Sequence, residues 1–205
     1  MALATYTDLI AAVRDTFVGQ LFADADLSRF VTLAEAEINR SLRVREMIRR
    51  RVSPVDGAYV TLPGDYLEAR NITLLTDPQR TLEAVGLDLA DQYRDRGSVP
   101  RYYAVSGQQM EILPTPPGGT PDVEMVYYGR LPSVETTETN WLLKTAPDLY
   151  LSLALKHAAV FVVADERAQV FAAEAMRLIT DLNRAGQMAE FGSAPLRVRT
   201  STYFG

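Results

Sequence analysis

The amino-acid sequence predicts an α+β protein. In this fold, two N-terminal and two C-terminal helices form a four-helix bundle that carries a β-rich insertion and an extended C-terminal arm. Two observations indicate this fold. Apolar residues recur at intervals of three and four at both ends of the chain, whereas proline and glycine interrupt its middle at short intervals. The predicted boundaries place the bundle at 1–45 and 141–191, the insertion at 46–140 and the arm at 192–205.

The N-terminal part of the chain predicts two helices that pack as an antiparallel pair. The first is expected over 6–18, because its apolar residues form one stripe and because Thr5 and Asp8 fit a capping box. The second is expected to follow Asp26, which we interpret as its N-cap. Its apolar stripe consists of Leu27, Phe30, Val31, Ala34, Ile38 and Leu42.

The insertion predicts short strands, one short helix at 87–94, and a hairpin that turns at Ser106-Gly107. Pro114 to Pro121 is expected to form a longer turn. The strand-like segments are 47–52, 58–62, 69–75, 101–105, 109–113 and 123–128.

The C-terminal part predicts two further helices. Thr145 and Asp148 fit a second capping box with Pro147 in the first turn, and 149–164 is apolar nearly all round, which is typical of a central helix. The helix at 166–191 is expected to be amphipathic and half exposed. The arm that follows has no acidic residue and an apolar end, so it cannot form a core of its own.

Composition excludes several classes of protein. The 205 residues include no cysteine, so a disulfide scaffold and a thiolate metal site are excluded, and a reducing cytoplasm is the expected setting. The N-terminus lacks a signal-peptide pattern, and the most apolar stretch is shorter than the ~20 residues of a membrane span. The net charge of −5 disfavours sequence-specific DNA binding, although it suits a conduit through which DNA slides.

The sequence offers no catalytic, cofactor-binding or metal-binding residues. The one histidine, His157, lies in an apolar helix and is interpreted as a packed core residue. Gly118-Gly119 lacks the features of a phosphate loop and is interpreted as a turn. Asp24, Asp26, Ser28 and Glu35 have the spacing of a calcium loop, but Arg29 replaces its glycine. A second acidic group, Asp88, Asp91 and Asp95, is interpreted as a solvated helix face.

A basic run is the strongest local charge feature. It consists of Arg40, Arg43, Arg45, Arg49, Arg50 and Arg51. Two interpretations stay open. The first arginines oppose the dipole at the end of the second helix, which is a structural role. Alternatively, the cluster contacts an acidic partner surface. Seven tyrosines concentrate in the insertion, as is typical both of interfaces and of strands.

Short motifs spread over about residues 5–190 indicate a family. They are Tyr6-Thr-Asp-Leu-Ile10, Leu33-Ala-Glu-Ala-Glu-Ile-Asn-Arg40, Leu62-Pro-Gly-Asp-Tyr66, Arg101-Tyr-Tyr103, Ile112-Leu-Pro-Thr-Pro116 and Val126-Tyr-Tyr-Gly129. With these motifs in this order, the sequence resembles the head-to-tail adaptor proteins of tailed bacteriophages. These neck or connector proteins include the tail tubular adaptor of T7-like phages.

The resemblance implies a structural virion protein and not an enzyme. It implies a homo-oligomeric ring of twelve copies in the neck, assembled in the host cytoplasm, that joins the portal protein to tail or nozzle proteins. Double-stranded DNA would pass through without sequence recognition, and no membrane is involved. An assembly factor or DNA-binding accessory protein is the alternative, and an enzyme is less favoured.

Two segments are expected to contact partners. One is the basic run, and the other is the arm, which the resemblance implies reaches into the portal. The expected contact residues of the arm are Leu196, Arg197, Arg199, Tyr203 and Phe204.

Overall fold

The computed structural model describes residues 3–94, 97, 99–116 and 121–191. The chain divides into two compact units. The helical unit comprises the described parts of Met1–Glu46 and Leu131–Gly205, and the sheet unit those of Met47–Arg130. The predicted arm and the Gly118-Gly119 turn lie outside the described residues. The domain boundaries predicted from the sequence stay a prediction.

The first two helices of the helical unit are α1, Tyr6–Thr16, and α2, Asp24–Ser41. The capping box of α1 is confirmed: the Asp8 backbone N–H donates to Thr5 Oγ1, and the Thr5 N–H donates to the Asp8 carboxylate. The prediction that Asp26 is the N-cap of α2 is wrong, because Ala23 holds that position. Asp24 and Asp26 instead lie in the first turn, where their charges are favourable near the positive end of the helix dipole.

The C-terminal part contains α4, Val134–Thr137, α5, Trp141–Thr145, α6, Pro147–Phe161, and α7, Asp165–Phe191. Pro147 occupies the start of α6 as expected. The predicted capping box at Thr145 is wrong, because α5 already includes this residue and its hydroxyl donates to the carbonyl of Trp141. Helices α4 and α5 have no counterpart among the elements predicted from the sequence.

Helix α6 is the shared packing partner within the helical unit. Helices α1, α2, α5 and α7 all pack against it. Its buried residues are Leu149, Tyr150, Leu153, Ala154, Leu155, Ala158 and Ala159. These contacts do not confirm the predicted four-helix bundle. With seven helices and a seven-stranded sheet among the described residues, the chain belongs to the mixed α+β class, as predicted.

The described strands of the sheet unit, numbered β1 to β7 in chain order, are Ile48–Ser53, Tyr59–Thr61, Tyr66–Leu74, Arg80–Ala84, Tyr102–Ser106, Gln109–Leu113 and Val123–Gly129. They form a curled seven-stranded sheet in the order β1-β7-β3-β4-β5-β6-β2. Strands β4 and β5 pair in parallel, and the other neighbours pair antiparallel. A 3₁₀ turn, Arg45–Met47, precedes β1, and α3, Leu87–Arg94, links β4 to β5.

The hairpin predicted at Ser106-Gly107 is confirmed, since β5 and β6 pair from Ser106 opposite Gln109. Gly107 has a φ of +58°, a left-handed conformation that glycine adopts without the clash of a Cβ atom. The unit has its own core, in which Ile72, Met110, Ile112, Val123 and Met125 are fully or almost fully buried.

No helix among the described residues has both the length and the apolar character needed to cross a membrane.

Candidate interaction surfaces

His157 lies half-buried on α6, next to an ion pair. Lys156 Nζ is 2.7 Å from Glu37 Oε2, and His157 Nε2 is 3.5 Å from the same oxygen. Burial and the neighbouring Lys156 charge lower the pKa of His157, which favours its neutral form. This placement agrees with the interpretation of His157 as a packed residue.

The acidic groups singled out in the sequence do not converge on a metal site. Asp24, Asp26, Ser28 and Glu35 all lie on α2, so they form a helix and not a calcium loop. Asp91 pairs with Arg94 at 2.8 Å, whereas Asp95 lies outside the described residues. Among the residues that the structure describes, no group of three or more candidate ligands could hold a metal ion.

Glu35 is instead the centre of a buried hydrogen-bond network in the helical unit. Its Oε1 accepts from the backbone N–H of Val134 at 2.7 Å and from the hydroxyl of Tyr150 at 3.4 Å. Asn140 donates to the Tyr150 oxygen at 2.6 Å and caps α5 by accepting from the backbone N–H of Leu143. Burial raises the pKa of Glu35. The network fixes the segment that leads into α5 against α2 and α6.

An apolar groove with a cavity volume of about 220 Å³ lies between the segment after α2, helix α5 and the last turns of α7. Asn183 holds two of these parts together: its Oδ1 accepts from the Arg43 N–H, and its Nδ2 donates to the Ser41 carbonyl. A Cβ atom on Gly186 would lie 3.2 Å from Val44, so glycine permits close packing here. The groove is lined by Leu42, Val44, Arg45, Glu46, Trp141, Leu142, Thr145, Leu182, Ala185, Gly186 and Ala189.

A second surface, here called the apolar end, combines the α1–α2 loop with the α6–α7 turn. The ring of Phe161 lies 6.1 Å from that of Phe22 and 5.5 Å from that of Phe30, which joins the two segments. The guanidinium of Arg167 lies 4.6 Å from the ring centre of Phe17. Five large apolar side chains of the apolar end are exposed to solvent: Val18, Leu21, Val160, Phe161 and Val163.

The backbone at Val163 is strained. Its φ is +58° although it is β-branched, and its side chain is 79% exposed. The Ala164 N–H donates to the Ala159 carbonyl, a hydrogen bond that ends α6 in the manner that usually places glycine at the left-handed position. The left-handed conformation costs a non-glycine residue about 1–2 kcal/mol. Among the residues that the structure describes, nothing in the helical unit buries this valine to offset that cost, and such uncompensated strain is typical of functional sites.

The basic run divides between the two units. In the helical unit, Arg43 donates to the carbonyls of Asn39 and Leu42, so it caps the end of α2 in agreement with the structural interpretation. Arg40 is exposed in the last turn of α2. Arg45 lines the groove and lies 3.3 Å from Glu46.

In the sheet unit, Asp65 connects Arg49 with the motifs that carried the resemblance. Arg49 Nε lies 3.1 Å from Asp65 Oδ2, and the Tyr127 hydroxyl donates to Asp65 Oδ1. A Cβ on Gly129 would lie 2.5 Å from Arg49 Cδ, so a larger residue there would displace the Arg49 side chain from its place against the strand. The Leu62-Pro-Gly-Asp-Tyr66 and Val126-Tyr-Tyr-Gly129 motifs therefore meet at one ion pair and have a structural role.

The other arginines of β1 are exposed. Arg50 lies 3.6 Å from Glu124 with its side chain 70% exposed, and Arg51 also faces solvent. Of the seven tyrosines in the insertion, Tyr103 and Tyr127 are buried, whereas Tyr59 is 57% exposed. The tyrosines therefore belong partly to the core of the sheet unit. Leu196, Arg197, Arg199, Tyr203 and Phe204 lie outside the described residues.

Neither the groove nor the apolar end was predicted from the sequence. Leu21 falls outside both N-terminal stripes, and Val163 stands where the end of α6 would be expected to have glycine. These two residues were signals of the apolar end that could be seen in the sequence. The groove had no local signal, because it is assembled from three segments that are far apart in the chain.

Comparison with known proteins identifies the family. No curated protein matches the chain. The family model of the SU10 adaptor protein matches residues 4–199, which is nearly the whole sequence. Because the match covers both the helical and the sheet unit, the chain belongs to the SU10 adaptor family and is a structural adaptor protein of a bacteriophage.

Proposed function

We propose that the protein forms a ring in the neck of the virion, where it joins the portal to the tail and lets DNA pass through. The family match over residues 4–199 carries this proposal. An adaptor works by contacting its neighbours, and the apolar end and the apolar groove are surfaces suited to such contacts. The resemblance to head-to-tail adaptors suggests twelve copies.

Two further properties support the neck position. The net charge of −5 disfavours tight binding of DNA, so a duplex in the channel of such a ring would meet little resistance. The arm, with Arg197, Arg199 and the apolar Tyr203-Phe204 end, provides charge and apolar groups for docking on the portal, as the resemblance implies. The tail or nozzle proteins would then occupy the opposite side of the ring.

The test is the mass of the protein in solution, alone and mixed with portal rings, measured by light scattering after size exclusion. We expect the full chain to join the portal in a fixed multiple. A variant that ends after Phe191 should keep its fold and lose most of this binding. Full-length protein that stays separate from portal rings at micromolar concentrations would refute the proposal.

The alternative function is that of a DNA-binding accessory factor. The exposure of Arg50 and Arg51 favours it, although Arg49 and Arg50 each lie beside a carboxylate that weakens their attraction for phosphate. It predicts DNA binding that falls steeply with salt and is abolished by the combined substitutions Arg49→Glu, Arg50→Glu and Arg51→Glu. Arg177→Glu on α7 is the matched control. We expect neither the natural protein nor the Arg177→Glu variant to bind DNA appreciably at 150 mM salt, about the physiological ionic strength.

A further inference from the structure

We propose that the apolar end of one copy inserts into the apolar groove of a second copy. The inference deepens the proposed function and rests on it for the formation of a ring. It identifies which surfaces of neighbouring copies meet. The size, charge and placement of these two surfaces within the helical unit support it, as does the backbone strain at Val163.

The two surfaces match in size and polarity. The groove has a volume of about 220 Å³ and an apolar lining. An apolar cavity of about 150 Å³ binds benzene, so this groove has room for one aromatic ring or one leucine side chain. The apolar end offers both, since Leu21 is fully exposed and Phe161 is about half exposed. Their insertion would remove large apolar side chains from water.

The two surfaces also carry opposite charge. Residues 14–24 and 160–167, which form the apolar end and its surround, contain four acidic and two basic side chains. The segments that form the groove, 40–46, 141–145 and 182–189, contain five basic side chains and one acidic side chain. Arg45, Lys144 and Arg184 are exposed there. An acidic rim facing a basic rim orients two copies and disfavours contacts between identical surfaces.

A single copy cannot bring these surfaces together. Helix α7 begins at Asp165 beside the apolar end, and its residues Leu182 to Ala189 line the groove. At about 1.5 Å per residue, the groove lies about 25–36 Å along the helix from that end. The contact is therefore between different surfaces of two copies. Such heterologous contacts repeat from copy to copy, and they close into a ring if the rotation between neighbours permits.

The strain at Val163 is an independent argument for a contact at the apolar end. A valine in a left-handed conformation with an exposed side chain destabilises the isolated subunit, and glycine would remove that strain. A second copy that covers the valine would bury this side chain in the contact, and that burial would offset the cost of the strained backbone. The test below distinguishes a second copy from the two other occupants considered for the groove, the C-terminal arm and a different phage protein.

Cysteine cross-linking tests the contact directly, because the natural sequence contains no cysteine. Leu21→Cys places a thiol at the apolar end, and Ala189→Cys places one in the groove. Both positions are exposed, so neither change should disturb the fold, as Trp141 fluorescence during urea unfolding can verify. The control pair is Ala173→Cys with Ala189→Cys, because Ala173 is exposed in the middle of α7, away from both surfaces.

The variants are oxidised as free protein at high concentration and in the assembly with portal rings, then separated on a denaturing gel without reductant. We expect the double variant to give a ladder of linked copies in at least one of these states. A mixture of the two single variants should stop at dimers that contain one of each. Each single variant alone, and the control pair, should stay mostly unlinked.

A ladder from the Leu21/Ala189 pair but not from the control pair would establish the contact. Its absence in both states would overturn it, even if the protein binds portal rings and the proposed function stands. In that case the arm or another protein is the occupant of the groove. Dimers of Leu21→Cys alone would also overturn it, because they require two identical surfaces to meet. A ladder without portal binding would refute the neck position and leave the contact intact.

Discussion

The helical unit and the sheet unit differ in the residues that they place at exposed, conformationally demanding positions. Gly107 in the sheet unit and Val163 in the helical unit have the same φ of +58°. The sheet unit uses the residue that adopts this conformation without strain, whereas the helical unit uses an exposed valine. The helical unit thus accepts a local loss of stability to display an apolar side chain, as is typical of functional sites.

The distribution of exposed apolar residues shows the same difference. In the sheet unit such residues are scattered over several elements: Val52, Tyr59, Leu87, Leu89 and Val99. In the described part of the helical unit, five of the nine exposed large apolar residues gather at one end, and the other four lie on α2 and α7. The exposed apolar residues are therefore more concentrated on the helical unit than on the sheet unit.

The largest expected effects come from opening a cavity in one unit at a time. Leu153 in α6 and Met125 in β7 are both fully buried. We expect Leu153→Ala and Met125→Ala each to lower the free energy of unfolding of their own unit by about 2–5 kcal/mol. The single tryptophan, Trp141, lies in the helical unit, so its fluorescence reports the unfolding of that unit. Amide hydrogen exchange reports both units.

If the two units are separate modules, only Leu153→Ala should shift the urea midpoint measured by Trp141 fluorescence. Met125→Ala should instead increase exchange in the sheet. Equal shifts of the Trp141 midpoint in both variants would show that the chain unfolds as one, and the comparison between the units would then hold for their surfaces alone.

The second effect concerns the buried carboxyl group of Glu35. Glu35→Ala should lower the free energy of unfolding by about 1–3 kcal/mol, because the buried N–H of Val134 loses its acceptor. Glu35→Gln keeps an oxygen for this hydrogen bond and removes the charge, so it should be much less destabilising at neutral pH.

The same pair of variants tests the raised pKa of Glu35. A raised pKa in the folded state means that folding favours the protonated acid, so this contribution to stability is present at low pH. It is lost as the pH rises through the raised pKa. In urea unfolding at several pH values from 4 to 8, the free energy of unfolding of Glu35→Gln should therefore increase relative to that of the natural protein as the pH rises. A constant difference between them would refute the raised pKa.

The sequence predicted the features that depend on neighbouring residues. The capping box at Thr5 and the turn at Gly107 were correct because each is decided within four residues. The Thr145 capping box failed because Asn140, held by Tyr150, begins α5 earlier in the chain. Strand β4 was missed because only Leu82 of its five residues is buried, so it shows little alternation.

The candidate surfaces were less predictable because they depend on contacts between distant segments. The basic run was found from the sequence, but the pairing of Arg49 with Asp65 depends on the register of β1, β7 and β3. The groove depends on Asn183 meeting the segment after α2, a contact across 140 residues. Apolar periodicity carries no information about such pairings.

The smallest expected effect comes from exchanging the residues at the two positions of equal φ. Val163→Gly removes a left-handed strain of about 1–2 kcal/mol. It also adds the entropy cost of a glycine, about 0.5–1 kcal/mol. We therefore expect it to raise the free energy of unfolding of the helical unit by up to about 1.5 kcal/mol. Gly107→Val in the sheet unit should lower stability by about 1–2 kcal/mol.

Urea unfolding monitored by Trp141 fluorescence measures the stability of Val163→Gly, and hydrogen exchange of the β5–β6 hairpin measures that of Gly107→Val. The informative result is the combination of stability and assembly. Val163→Gly should be more stable as an isolated subunit and yet form fewer Leu21–Ala189 cross-links, because its apolar end has lost one of its exposed side chains. If Val163→Gly is instead less stable, the valine contributes to the fold of its own copy, and its conformation is no longer an argument for a partner.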